Sequence, residues 1–587
     1  MKRNSFVRSC VCGLLALALG PRAMTAWAVP EVQFTASGLG VSCYDFVEVT
    51  LNVSHPQVKN PFTDVTIEGS FSLNGAPPLA VDGFCDSADG SVFRIRFMPS
   101  KPGSYTYTVK YREAAFEKTF QGTFAARDEK SKGVVRLDPE YPSHFQWDGS
   151  KERFFWNGTT AYWLAGWDDE TIRQALDRLD RLKVTRVRAA LSGRVKDGHA
   201  WFENVSPTDK FSFLLNPWVA ANAASVEAPG FDVTRFNVDY WQKWERLLRH
   251  ARSKSMVVSV IFYVDGIRPG VDPFGKAGMG GAEEQQYYRY AVARLSAFAN
   301  VMWDVANEYR FFRDDAWAEK MGAFLKQCDP YDHLTSTHGH VDFRFRTSPW
   351  ADFAMYQCWD EHGGYDFMLH NRIEQVRTGR IIPQVNEEYG YEDHYPQGWG
   401  ENRTAPARSA ENRARLAWEI YLAGGYQTTG ECANRSAGSA PDSGGGWING
   451  RGDDATTMLE LYGHIYDFFT GIRWWELLPD TNLVVSVKPH PNATDKAKAP
   501  DKVYAARNPS GDLAVIYVSG GGIVGLKGEL LKDQLKPLWF SPRDGGMRNA
   551  RALRERIYRT PTAEDWVLLF RTPCNCSFRD FDNEYEK

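Results

Sequence analysis

Long apolar runs are missing from this sequence of 587 residues. No stretch approaches the ~20 consecutive apolar residues that cross a bilayer, which argues against a membrane-spanning helix. Excess charge is missing too: 69 Lys and Arg against 73 Asp and Glu leave a net charge of −4. Such a balance gives no reason to expect nucleic acid or an anionic membrane as partner. Internal repeats and low-complexity tracts are absent, so neither a repeat array nor a long biased linker is indicated. Cysteine is scarce, with nine in the chain, and none sits in a zinc-ribbon or CxxC spacing. Cys574-Asn575-Cys576 is a CxC, too close for the two to bond each other comfortably. Cys43 and Cys85 share one early segment and are the expected disulfide in an oxidising compartment.

Aromatic side chains, in contrast, are plentiful: 20 Trp, 26 Tyr and 35 Phe. They fill cores and also offer flat apolar faces on which sugar C–H bonds stack. The N-terminus has the pattern of an export signal. Lys2, Arg3 and Arg8 precede a short apolar stretch from Cys10 to Gly20, and Ala26-Trp27-Ala28 supplies small residues at a cleavage site. Cys10 lacks the context of a lipoprotein box. A secreted or periplasmic protein beginning near Val29 is expected, with no stable membrane insertion.

Composition changes twice along the chain. Residues 29–127 hold short alternating segments bounded by turns, such as Phe46–Leu51, Val65–Phe71, Ser91–Phe97 and Tyr105–Val109. Their even spacing predicts an immunoglobulin-like β-sandwich. A linker rich in Lys, Asp and Pro is expected over 128–142. Residues 143–479 switch to helical spacing: Ile172, Leu176, Leu179 and Leu182 follow Asp169, a candidate N-cap, and Trp241, Trp244, Leu247, Leu248 and Ala251 repeat the pattern. Between the helices lie eight short apolar runs: Tyr162–Leu164, Val184–Leu191, Met256–Tyr263, Val301–Val305, Leu334–Thr337, Phe353–Tyr356, Ile381–Val385 and Tyr426–Thr429. Eight strands with intervening helices predict a (β/α)8 TIM barrel. The helix after the fifth run is not apparent, and Ala200 to Asn237 is a long insertion. Residues 480–587 return to strand-like segments and predict a second β-sandwich. The chain is thus expected to be multidomain, a TIM barrel between two β-sandwiches.

Active sites of such barrels are built at the C-terminal ends of the strands. The fourth run continues as Trp303-Asp304-Val305-Ala306-Asn307-Glu308-Tyr309, the seventh as Asn386-Glu387-Glu388-Tyr389-Gly390-Tyr391-Glu392. Hydrolysis of a glycoside needs two carboxyl groups, one to protonate the leaving oxygen and one to attack the anomeric carbon or activate water. Strands 4 and 7 face each other across a barrel mouth, which suits such a pair. Glu308 is the candidate acid/base, and Asn307 is placed to hydrogen-bond a sugar hydroxyl. Glu387 and Glu388 compete for the second role; strand alternation allows only one of them to point inward.

The motifs resemble glycoside hydrolase clan A and, more finely, its apiosidase-like barrel family. Residues Phe155-Trp156-Asn157-Gly158-Thr159-Thr160-Ala161-Tyr162-Trp163-Leu164 are similar to that family's opening strand. Phe231-Asp232 through Arg235-Phe236-Asn237 resembles its pre-helix segment, and Trp474 to Asp480 its exit. The family's seventh-strand motif, roughly Asn-Gly-Glu-x-x-Tyr-Glu, selects Glu388 as nucleophile and finds Glu387 where it has Gly. The flanks resemble the immunoglobulin-like domain and the collagen-binding-type β-sandwich that accompany such barrels. The resemblance implies a retaining O-glycoside hydrolase acting on cell-wall poly- or oligosaccharides, without cofactor or metal.

Further candidates for substrate binding are Arg188 at the end of strand 2, His338 after strand 5, Gln357 after strand 6, Glu431 after strand 8 and Trp447 in a long loop. Trp201 and Trp218 are further candidate sugar platforms, and Arg186 accompanies Arg188. Two other classes compete: a non-catalytic carbohydrate-binding protein on a barrel scaffold, and a metal-dependent hydrolase or lyase using His338, His340 and Asp342. Two His and one Asp are a thin ligand set. Arg451-Gly452-Asp453 matches an adhesion tripeptide with no supporting context.

Overall fold

The computed structural model describes residues 30–193, 210–225, 228–264, 273–392, 408–431, 457–493 and 502–572. Its centre is an eight-stranded parallel sheet formed by β1 (Asn157–Thr160), β2 (Arg186–Ala190), β3 (Val257–Ile261), β4 (Val301–Asp304), β5 (Thr335–Ser336), β6 (Ala354–Gln357), β7 (Gln384–Glu388) and β8 (Tyr426–Thr429). The order is β5-β4-β3-β2-β1-β8-β7-β6. Isolated hydrogen bonds bring the ends together: Asp352 N–H donates to the Thr335 carbonyl and Gln357 N–H to that of His340. The result is a nearly closed barrel, with both faces of each strand buried, as parallel sheets require.

Helices α1 (Asp169–Arg181), α2 (Val238–Ser253), α3 (Ala282–Leu295), α4 (Asp315–Cys328), α5 (Tyr365–Thr378), α6 (Ala410–Leu422) and α7 (Met458–Thr470) surround it. The first is capped by Asp168, one residue before the expected Asp169: its carboxylate accepts from Thr171 N–H. No helix stands between β5 and β6 among the described residues. Part of the long insertion folds as an antiparallel pair, Trp218–Ala220 with Phe231–Phe236.

Two strands lie elsewhere than their apolar runs suggest. Tyr162–Leu164 is a turn running into a short 3-10 helix, and β1 is the polar Asn-Gly-Thr-Thr before it. Likewise β7 is Gln-Val-Asn-Glu-Glu, all buried, downstream of Ile381 and Ile382. Both strands carry polar side chains because the barrel interior here is polar.

Over 128–142, the expected linker contributes a strand, Val135–Leu137, which pairs with Phe145–Trp147 and then Arg153–Phe154. Phe145 from this small sheet packs on Trp156, Phe353 and Tyr426, beside the starts of β1, β6 and β8. The barrel is therefore plugged at its N-terminal end.

Ahead of the barrel, a four-stranded and a five-stranded sheet share one core from Val32 to Ala126. Strand Val47–Ser54 alternates buried and less buried residues, the signature of one face in a core. The expected Cys43–Cys85 disulfide is not formed; both are free, buried thiols. Cys85 lies on the four-stranded sheet and donates to the Ser87 carbonyl at 3.1 Å, whereas Cys43 follows the edge strand of the other sheet. Behind the barrel, a six-stranded sheet packs against a four-stranded one. In its strand Leu513–Val518, Ala514, Ile516 and Val518 face their own core, while Leu513, Val515 and Tyr517 join the barrel core. That two-sided burial explains the unbroken apolar run.

Candidate active site

The charged side chains of the barrel form a ladder rising to its C-terminal mouth. On β2 the i, i+2 alternation turns Arg186 and Arg188 inward, both fully buried. Arg186 Nη1 donates to Glu387 Oε2 at 2.7 Å and to Thr428 Oγ1 at 3.1 Å; its Nε and Nη2 donate to Ser259 Oγ. Its guanidinium lies 4.4 Å from the Trp156 ring centroid. Arg188, one step higher, donates from Nη2 to Asp304 Oδ2 at 2.9 Å and to Asn307 Oδ1 at 3.1 Å. Its Nε is 3.7 Å from Glu387 Oε2.

Alternation along β7 should turn only one of Glu387 and Glu388 inward, yet both are buried in the barrel interior. The cause is a register slip: Tyr356 pairs with Asn386, but Gln357 pairs with Glu388, leaving Glu387 as the extra residue of a bulge. Glu387 consequently reaches down to Arg186. Glu388 stays at the rim, where its Oε2 is 3.2 Å from the Tyr162 hydroxyl and its Oε1 accepts from Gln357 Nε2 at 3.1 Å. Tyr391 also donates to it.

Glu308 approaches from the opposite side. Its backbone is left-handed, φ 48° and ψ 43°, a conformation uncommon outside glycine and concentrated at functional positions. Its Oε1 accepts from the same Gln357 Nε2, at 2.9 Å. One amide nitrogen thus holds both carboxylates. The two bonds, 2.9 Å and 3.1 Å, cap the separation of the two oxygens at 6.0 Å. At the ~120° angle between the N–H bonds of an amide, the separation is roughly 5 Å.

Asn307, just before Glu308, anchors the frame. Its Oδ1 accepts from Arg188 Nη2 and lies 3.2 Å from the Tyr162 hydroxyl and 2.5 Å from His338 Nδ1. Because Arg188 can only donate, Oδ1 is the acceptor and His338 carries its proton on Nδ1. Burial first, then Arg188, His340 and Arg186, hold His338 well below its ordinary pKa, so the ring is neutral. The Asn307 amide N–H groups have no acceptor among the described residues and are available to a ligand hydroxyl.

Of the expected site residues, Glu308, Glu388, Asn307, Arg188, His338 and Gln357 come together. Glu431 stands apart, with both oxygens held by Arg178 of α1 at 2.8 Å. Trp218 is fully buried against Phe231, Phe274 and Tyr287 and is a packing residue. Trp447, Trp201 and the Arg451-Gly452-Asp453 tripeptide lie outside the described residues. His338, His340 and Asp342 do not converge: Asp342 is paired with Arg310 and Arg344, and no metal-binding group of three occurs among the described residues. Tyr162, Tyr391 and Asp304 were not expected at the site. Placing β1 at Asn157–Thr160 puts Tyr162 at its C-terminal end, the position where barrel site residues stand.

The ladder is unbalanced. Among the described residues, Arg186 and Arg188 face the three buried carboxylates of Asp304, Glu387 and Glu388. Low-dielectric surroundings penalise every uncompensated carboxylate. Desolvation accordingly raises Asp304, despite Arg188, and lifts Glu388 to about 7, despite Arg188 and the bonds from Tyr391, Tyr162 and Gln357. The Glu388 carboxyl is therefore pushed well above the ordinary carboxylate range.

Residues 144–430 match a family model described as "Apiosidase-like, catalytic domain". Residues 40–112 match a domain of unknown function, and residues 478–571 a model described as "Putative collagen-binding domain of a collagenase". No curated protein matches by sequence. Among solved structures, one described as a glycoside hydrolase from Bacteroides vulgatus ATCC 8482 aligns over 91% of this chain and 100% of its own, at 20% identity and a TM-score of 0.67. A family 5 glycoside hydrolase from the same organism aligns over 75% of this chain and 93% of its own, at 13% identity and a TM-score of 0.55. At such identities the likeness is one of fold.

Proposed function

This chain is a glycoside hydrolase whose barrel belongs to the apiosidase-like catalytic domains, and from that premise we propose that it is a retaining O-glycosidase with Glu388 as nucleophile and Glu308 as acid/base. Glu388 attacks the anomeric carbon while Glu308 protonates the departing oxygen, giving a glycosyl ester on Glu388. Water deprotonated by Glu308 then attacks the same carbon and releases the sugar with its configuration kept. The Asn307 amide serves the sugar hydroxyl next to the anomeric centre, a contact that strengthens in the transition state. Gln357, Tyr162 and Tyr391 hold Glu388, and Arg188 supplies the positive field that favours its ionised form.

The observation that carries this reading is the single Gln357 nitrogen bonded to both carboxylates. A spacing of roughly 5 Å is that of retaining enzymes; inverting ones need ~6.5–9.5 Å to admit a water. The bulge supports Glu388 over Glu387, since Glu387 is committed to Arg186. Cell-wall poly- or oligosaccharides are the proposed substrates, and the basic and apolar N-terminal segment supports action outside the cytoplasm. A screen of glycan fragments, followed by proton NMR of the first product formed, tests the mechanism. The retained anomer is expected; the inverted one overturns the proposal.

A further inference from the structure

Among the described residues, Phe311 is the one Phe, Tyr or Trp side chain that is more than half exposed, at 55%. It sits in the 3-10 turn Tyr309–Phe311 directly after Glu308, and its N–H donates to the Glu308 carbonyl at 3.0 Å. Its neighbours turn inward: Tyr309 is buried, and Phe312 packs against Tyr263 and Trp317. Nothing in the local packing requires an aromatic ring to face solvent here.

The ring does not stand alone. His340 meets it edge to face, with centroids 5.2 Å apart, and the next residue, Val341, is 54% exposed. Both belong to the segment after β5, and the His340 carbonyl accepts from the N–H of Gln357, the residue that joins the two glutamates. The segments carrying Phe311 and His340 are clamped by Arg310, whose guanidinium bonds both oxygens of Asp342 at 2.7 Å and 3.3 Å. Tyr309 N–H also donates to the His338 carbonyl. Desolvation, then the Arg310 cation, lower His340 below its ordinary value, so its ring is neutral at pH 7. A small, rigid, uncharged platform is thereby fixed to the backbone of both Glu308 and Gln357.

From this geometry we infer that Phe311, with His340 and Val341, forms the subsite for the leaving-group sugar, stacking the apolar face of the residue whose oxygen Glu308 protonates. The inference rests on the acid/base role of Glu308. An acid delivers its proton on the leaving-group side, so an apolar surface built onto the acid's own turn lies beside the departing residue. Exposed aliphatic residues elsewhere, such as Ile373 and Val376 on α5, have no exposed aromatic ring beside them and need no explanation. Three side chains are too few for a protein interface, which needs roughly 20–30 residues a side. They match one monosaccharide ring, whose apolar C–H face can lie flat on an aromatic ring.

The test uses the full-length enzyme and the glycone it releases, offered as a disaccharide and as the methyl glycoside. Phe311→Ala should lower kcat/KM on the disaccharide about tenfold and on the methyl glycoside less than twofold, with Phe311→Trp restoring the disaccharide rate. Equal losses on the two substrates, or no loss on either, overturn the subsite. Because Phe311 is exposed, an unchanged melting temperature in the same samples separates binding from folding. Glu308→Ala, assayed alongside, keeps the two failures apart. Retained disaccharide hydrolysis in that variant refutes the acid/base assignment; its loss, with no substrate discrimination by Phe311→Ala, refutes the platform alone.

Discussion

Two buried charge clusters in this protein use the same residue types to opposite ends. One joins the N-terminal sandwich to the barrel. Arg96 binds Glu48 at 2.7 Å and Glu245 of α2 at 2.8 Å, and donates to the Arg294 carbonyl; Arg294 of α3 in turn binds Glu245 and Asp86, and Arg94 binds Glu48 and Asp86. With Arg249, 3.5 Å from Glu245, four guanidinium groups face three carboxylates, and Phe84 stacks under two of the cations. Desolvation would raise Glu48 and Asp86, but the arginines outweigh it and both lie below the ordinary carboxylate range. The other cluster is the barrel ladder, where among the described residues two guanidinium groups face the buried Asp304, Glu387 and Glu388. There desolvation wins at Asp304 and Glu388, and Arg188 Nη1, Asp304 Oδ1, Glu387 Oε1 and His338 Nε2 find no partner among the described residues. Ample positive charge makes the first cluster an adhesive. In the second, desolvation outweighs the positive charge and raises the Glu388 carboxyl.

The contrast can be broken from either side. Arg96→Ala removes the guanidinium that bonds both Glu48 and Glu245 across a buried interface, which should destabilise the protein by about 3 kcal/mol. Thermal or denaturant unfolding reads that loss, while kcat measured well below the transition should be unchanged. Glu388→Gln should do the reverse, abolishing turnover and stabilising the fold at high pH. The sign follows from a folded pKa near 7 against an ordinary 4.5. Below 4.5 the carboxyl is protonated in both states and the substitution gains nothing. As pH rises through that window the unfolded chain ionises first, so the wild type loses stability, fully so above 7. The variant should then be more stable by about 1–3 kcal/mol above neutrality. Equal melting temperatures at pH 4 and pH 8, relative to wild type, would contradict this.

The smallest effect sharpens the comparison. Glu387→Gln removes one negative charge from the ladder and leaves Arg186 and Arg188 to act on Glu388. If Glu388 is the nucleophile proposed above, its carboxyl, raised to about 7, should set the acid limb of kcat/KM, and that limb should move down by about one pH unit. Turnover at the optimum should persist. An upward or absent shift, measured below the variant's own unfolding transition, would remove Glu387 from the account.

Much of this was legible in the sequence where chemistry and hydrophobicity agree. Strands β2, β3, β4, β6 and β8 lie within or beside their apolar runs, because their outward faces pack on helices. Strands β1 and β7 were mislocated because Asn157, Thr159, Asn386 and Glu387 are buried polar residues, and a polar strand reads as a loop. The same error concealed Tyr162. The Asn-Glu pair at 307 and 308 and the carboxylates at 387 and 388 stand out because acids at strand ends are costly without a purpose. Which of the latter two reaches the mouth depends on a one-residue bulge, and alternation cannot anticipate an extra residue. Glu431 misled for a related reason: a carboxylate after a strand can serve a helix on the outside, as it does with Arg178.

The most direct measurement is azide rescue of Glu388→Ala and Glu387→Ala, assayed side by side, with the anomeric configuration of any glycosyl azide read by NMR. The account predicts that Glu388→Ala is inactive and that azide revives it. The azide occupies the space of the missing carboxylate and gives a product of configuration opposite to the substrate. Rescue confined to Glu387→Ala, or hydrolysis that persists in Glu388→Ala without azide, would contradict it.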